Sequence, residues 1–224
     1  MDSRKILTSA SVVVITLVLG VVIGRQWDGA STPAPTTTTV PTQPPTAIWP
    51  QASTSTRFAT PELAAQTFAL DYLGFTNPVV EPFQSGDSRS GEVNVRSSLS
   101  GARTTILVRQ VTGDDTWWVI GASSANLEVT SPSALQVISD PVRLTGTSTA
   151  YEGVVDVEIR QDVNLAPLVR TTVHGGSMGV KGPFDATVTY PTPTSSSGAI
   201  VLYTRSAKDG SVLEASVLRV AFAK

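Results

Sequence analysis

From Ile6 to Ile23 the chain carries no charged residue and is dominated by Val, Ile and Leu. A run of about 18 or more such residues approaches the roughly 20 that cross the hydrocarbon core of a bilayer. The chain that follows offers no core in which to bury the run. Asp28 to Arg57 is broken by Pro33, Pro35, Pro41, Pro44, Pro45 and Pro50 and filled out with Thr and Ser. Proline removes a backbone donor and fixes φ, so this stretch is expected to be extended and polyproline-like. The two features divide the chain: a cytoplasmic tip at 1–5, a transmembrane signal anchor at 6–24, and a Pro/Thr-rich stalk at 25–57. Only residues from 58 onward are left to build a folded core. In lipid every backbone group must be satisfied internally, so helix is the expected form of the span. Arg4 and Lys5 place the N-terminus inside and the remainder outside the plasma membrane, crossed once. The rival reading is a cleaved signal peptide, but Arg25-Gln26-Trp27-Asp28 makes a poor cleavage site. The stalk's composition suits O-glycosylation and an unmodified spacer equally.

Composition excludes several chemistries. The chain has no Cys and one His, His174. That removes disulfides, thiol nucleophiles, thiolate-bound metals and sites built on two imidazoles. The net charge is −2, and neither folded segment carries a basic footprint for nucleic acid. No P-loop or dinucleotide fingerprint is present.

Residues 58–126 read as a small α+β domain. Thr60-Pro61-Glu62 supplies an N-cap, a proline at the first helical position and an acid in the first turn. Ala64, Ala65, Phe68, Ala69 and Tyr72 share one face of a helix expected over 61–73, and Gly74 stops it. Leu63 and Leu70 fall on its polar side. Three strands are expected at Glu92–Arg96, Thr104–Val111 and Thr116–Gly121, the last two joined by a turn at 112–115. Trp117 and Trp118 are adjacent on a strand, so their rings must point to opposite faces. Each is a candidate stacking surface for a sugar or partner, or else a contact within the fold.

Residues 127–224 show seven strand-like runs, from Leu127–Val129 to Val217–Ala223, separated by Pro and Gly turns. Val155, Val157 and Ile159 alternate with Asp156, Glu158 and Arg160, the mark of a strand with one buried face. That alternation puts Asp156 and Glu158 toward solvent. The pattern predicts an antiparallel β-sandwich, so the chain as a whole is expected to be mainly β. The ordered series Leu127-Glu-Val, Asp140-Pro-Val-Arg-Leu-Thr-Gly146, Tyr151-Glu-Gly-Val-Val-Asp-Val157, Gly182-Pro-Phe184 and Lys208-Asp-Gly-Ser211 resembles the immunoglobulin-like domain of bacterial spore germination. The resemblance implies a small all-β extracytoplasmic module without established catalytic residues. The preceding segment, ending in Thr116-Trp-Trp-Val-Ile120, looks like a domain that accompanies this module in actinobacterial membrane proteins.

One catalytic motif is matched by letter. Gly175-Gly176-Ser177-Met178-Gly179 satisfies G-x-S-x-G, and His174 precedes it. The hydrolase elbow needs a helix after the serine and a histidine later in the chain. Neither is expected here, so the segment reads as a glycine-rich loop between strands. Paired carboxylates set across a cleft are not evident, nor is a ligand-spaced calcium loop. No catalytic, cofactor-binding or metal residues are therefore assigned. Tyr151 and Glu152, at a strand start, are candidates for recognition or for satisfying turn amides.

The reading is a non-enzymatic, membrane-anchored envelope protein linked to sporulation, germination or cell-wall processes. Its candidate binding surface is Trp117, Trp118, Tyr151 and Glu152. The expected partner is a protein or a cell-wall glycan, with the membrane contacted through Ile6–Ile23. Two rivals stay open on the residues alone: a cell-wall-acting hydrolase and a purely structural assembly spacer.

Overall fold

Thr60 opens the helix as its residue type dictates. Its hydroxyl accepts the Leu63 amide at 3.3 Å and Pro61 occupies the first turn. In the computed structural model, which describes residues 43–223 apart from positions 52, 112, 114 and 164, the helix α1 spans Pro61–Thr67. It continues as a π-helical turn over Phe68–Leu73 and ends at Gly74, at φ 79°. The Thr67 hydroxyl donates to the Leu63 carbonyl at 2.9 Å. Such back-bonding competes with the helical ladder, and the widened turn begins at the next residue. The expected span Ile6–Ile23 and the stalk up to residue 42 lie outside the described residues. Among those described, no helix is long and apolar enough to cross a membrane.

The strands in chain order are β1 (Val79–Val80), β2 (Gln84–Ser85), β3 (Ser90–Arg96), β4 (Arg103–Arg109), β5 (Trp118–Ser123), β6 (Leu127–Ser131) and β7 (Val137–Ile138). Then come β8 (Val142–Ala150), β9 (Val154–Gln161), β10 (Pro167–His174), β11 (Gly176–Ser177), β12 (Gly182–Val188), β13 (Ser197–Arg205) and β14 (Val212–Phe222). The expected hairpin is present, with β4 and β5 paired antiparallel. The chain is mainly β and mostly antiparallel, as the alternation predicts. Val212–Ser216 is strand as well, which the sequence pattern did not signal.

A single sheet joins both folded segments. Its order is β1-β3-β4-β5-β14-β13-β9-β10, with β2 beside β3 and β7 beside β14. The link is β14 against β5, where Val217 lies opposite Ala122. A second sheet, β11-β8-β12 with β6 beside β8, stacks on part of it. Strand alternation sorts the two faces. Ala199, Val201 and Tyr203 of β13 join the apolar cluster under α1. Ile200 and Leu202, with Val155, Val157 and Ile159 of β9, face the second sheet and fill the sandwich with Leu144, Phe184 and Phe222. The order across the fold is helix, long sheet, short sheet. Backbones approach closely at Gly146, where a Cβ would stand 2.1 Å from the Glu128 carbonyl oxygen and 2.4 Å from the Phe184 ring.

Two expectations are corrected. The proline pattern places residues 43–57 in the stalk, but Ala47, Ile48 and Trp49 are buried. The Ile48 amide donates to the Val119 carbonyl at 2.7 Å, and Trp49 bridges Val119. This apolar trio fills the edge of β5 that β14 leaves uncovered, while the Trp49 indole donates to the Thr67 hydroxyl at 3.2 Å. The Pro45 carbonyl accepts from Arg219 Nε at 2.8 Å. The second correction concerns Glu158, expected on a solvent face. It is 1% exposed, because the polar face of β9 is covered by the C-terminal turn of the helix.

Candidate functional site

Beneath that turn the polar face of β9 and its neighbours form a charged cluster. The period of two on β9 places Asp156, Glu158 and Arg160 on one side. β10 adds Arg170 directly opposite Glu158, and β13 adds Tyr203 opposite Asp156. Glu158 Oε2 accepts from Arg160 Nε at 2.6 Å, and its Oε1 accepts from the Tyr203 hydroxyl at 2.8 Å. Arg170 Nε lies 2.7 Å from the same Oε1. Arg160 also donates to the Tyr72 carbonyl at 2.6 Å and sits 4.5 Å from the centre of the Tyr72 ring. Arg205 Nε donates to Asp156 Oδ2 at 2.9 Å, and its guanidinium stacks 4.7 Å over the Tyr203 ring.

The electrostatics follow from these contacts. Burial pushes the Glu158 carboxyl up, but the Arg160 charge, hydrogen bonds from Tyr203 and Arg160, and the Arg170 charge outweigh it. The group is held below the ordinary carboxylate value. Burial and the bond to Glu158 push the Tyr203 phenol up. Burial lifts Tyr72 to about 12. A carboxylate held ionised, with donors on both oxygens, is poorly placed to give or take a proton in a reaction. Its role here is to hold two guanidiniums and a phenol in fixed positions.

At one end of the sandwich a second arrangement lies at the surface. Tyr151–Gly153 forms a tight turn before β9, with Glu152 at φ 57°. The Gly175 amide donates to the Gly153 carbonyl at 2.9 Å, and β11 lies parallel to the end of β8. Gly176 is needed at this crossing, since a Cβ there would stand 2.1 Å from the Gly182 amide nitrogen. The turn after β11 carries Met178 at φ 52°. Tyr151, Val154, Met178 and Val180 are each exposed on or beside these loops, the last two at 71% and 70%. An apolar patch at a loop tip mainly marks an interaction site where several such groups lie together.

The sequence-derived candidates separate in space. Tyr151 and Glu152 are exposed on this tip. Trp118 is completely buried, with Arg57 4.8 Å over its ring. Trp117 is partly buried and meets Phe83 edge-on at 5.1 Å. Both tryptophans are thus contacts within the fold. Ser177 lies in two-residue β11 and is followed by a turn and β12, with no helix. Among the described residues, no group of three His, Asp or Glu is placed to hold a metal ion.

The Glu158 cluster was missed. Its only signal was the charged half of the β9 alternation, which says that a face is polar but not what covers it. Met178 and Val180 carried a clearer signal: two apolar side chains inside a glycine-rich turn.

Residues 126–211 match the family model described as the immunoglobulin-like domain of bacterial spore germination. The matched span runs from the residue before β6 to the residue before β14. It contains the tip and all of β9, β10 and β13. No curated protein and no solved structure gives a significant match to the chain.

Proposed function

We propose that this is a non-enzymatic envelope protein that presents the immunoglobulin-like sandwich to a protein partner through the tip formed by Tyr151, Val154, Met178 and Val180. Ile6–Ile23 serves as the membrane anchor, with the N-terminus inside. The observation that carries the reading is the placement of the tip relative to the start of the folded body. Pro45 is held by Arg219, which also binds Asp162, one residue beyond the end of β9. The tip lies at Val154, the start of β9. An eight-residue strand separates the two, on the order of 25 Å at the usual rise. Pro45 and the tip therefore lie at opposite ends of β9. An aromatic and a methionine beside aliphatic side chains match the residue types enriched at protein–protein interfaces. The saturated Glu158 carboxylate and the strand context of Ser177 support the non-enzymatic part.

The test is retention of envelope proteins by the full chain against a Tyr151→Ser, Met178→Ser, Val180→Ser variant. The reading expects one partner to be lost by the variant while its melting temperature is kept. Unchanged retention overturns it, and so does binding only to protein-free wall fragments.

A further inference from the structure

Beside the Glu158 cluster a cavity of about 270 Å³ opens between Gly74, at the end of the helix, and strands β9, β10 and β13. Its walls include Arg160, Arg170, Arg205, Tyr203, Leu165 and Asp71. We propose that this cavity binds a small carboxylate, held by Arg170 and Arg205. The site is independent of the tip and stands or falls separately from it.

The three arginines differ in how much of their hydrogen-bonding capacity is already used. A guanidinium has five N–H donors in a fixed fork. Arg160 is a wall: it is turned to Glu158 and the Tyr72 carbonyl, and its side chain is 9% exposed. Arg170 has one partner among the described residues, Glu158, reached through Nε, and its side chain is 68% exposed. Both of its terminal nitrogens are left for a ligand. Arg205 uses Nε on Asp156 and one terminal nitrogen on the Gly210 carbonyl at 2.8 Å. The Tyr203 hydroxyl is a further partner of this guanidinium, so Arg205 offers fewer open donors than Arg170. The Tyr203 ring fixes its plane.

Two partly used forks, each pinned by a carboxylate, line one cavity. Such forks match the two oxygens of a carboxylate or phosphate. Local charge chooses between these. Arg160, Arg170 and Arg205 are balanced by Glu158, Asp156 and Asp71 around the same space. A monoanion is accommodated there more readily than a dianion. Size argues the same way, because the cavity falls below the usual range for drug-sized ligands, about 300–1,000 Å³. Leu73 and Val212 also border the cavity but are almost wholly buried, so its accessible wall is mainly polar and suits a short carboxylate.

Isothermal titration of the full chain with sodium propionate, against sodium chloride at matched ionic strength, tests this. The expected result is saturable propionate binding, weakened at least tenfold in Arg170→Gln and in Arg205→Gln. Both side chains are exposed enough for the variants to fold, and a cooperative melt of each checks this. The proposal is overturned if propionate heats match those of chloride, or if both variants bind as the parent does. Inorganic phosphate binding tenfold tighter than propionate overturns the assignment to a carboxylate.

Discussion

Replacing Glu158 by Gln is the sharpest perturbation of the fold. The side chain is 1% exposed, and Arg160 beside it is nearly as deep. Removing one partner of a buried pair leaves the other charge uncompensated, at a cost of about 3–5 kcal/mol. Glutamine keeps the volume and one acceptor for Tyr203, so the lower end applies, about 3 kcal/mol. For a folded body of this size that lowers the melting temperature by about 6–12 °C. The loss depends on pH, and its sign follows from linkage. The folded carboxyl is held below its ordinary value, so its contribution is present above the unfolded value, about 4.3. It fades as pH falls through the folded value. Urea unfolding of parent and variant, followed by tryptophan fluorescence at pH 7 and pH 3, should give a large gap at pH 7 that narrows at pH 3. In the double variant with Arg160→Leu the two losses should fail to add by about 1 kcal/mol or more. A gap under 1 kcal/mol at pH 7, or one that is equal at both pH values, would refute the reasoning.

Other expectations are simpler. Trp118→Ala should cost about 3–5 kcal/mol in a urea titration, since the ring is wholly buried, and should leave the tip's partner binding intact in the fraction that folds. Gly146→Ala should destabilise by about 1–3 kcal/mol or more in the same assay, because the new methyl meets both the Glu128 carbonyl and the Phe184 ring. In an ultraviolet titration Tyr72 should remain protonated until about pH 12. Its stabilising effect is complete below the unfolded phenol value, about 10, and is lost as pH rises through the folded one.

Local signals in the sequence located most elements. Thr60, Pro61 and Gly74 bounded the helix, and the alternation in β9 assigned its two faces correctly. The meaning of the polar face was not legible, because alternation reports polarity and the cover is supplied from some 85 residues earlier, by Tyr72 and Leu73. Ala47-Ile48-Trp49 was hidden for a similar reason. Three apolar residues among prolines look like spacer until β5 is known to have an open edge. Tyr151 and Glu152 were found as a strand start. Their neighbours Met178 and Val180 became part of the same tip only once β11 was seen to cross β8. Trp117 is partly buried just before β5 and Trp118 is wholly buried at its start, a difference that adjacency in sequence does not tell.

The central claim is that the tip, and not the body, meets the partner. Photocrosslinking tests it most directly, with a photoreactive residue placed at Met178 or, as a control, at Leu99, which is 86% exposed in the turn between β3 and β4. The account predicts one protein adduct from position 178, abolished by Tyr151→Ser, and none from position 99. Equal adducts at both positions, or none at 178, would contradict it.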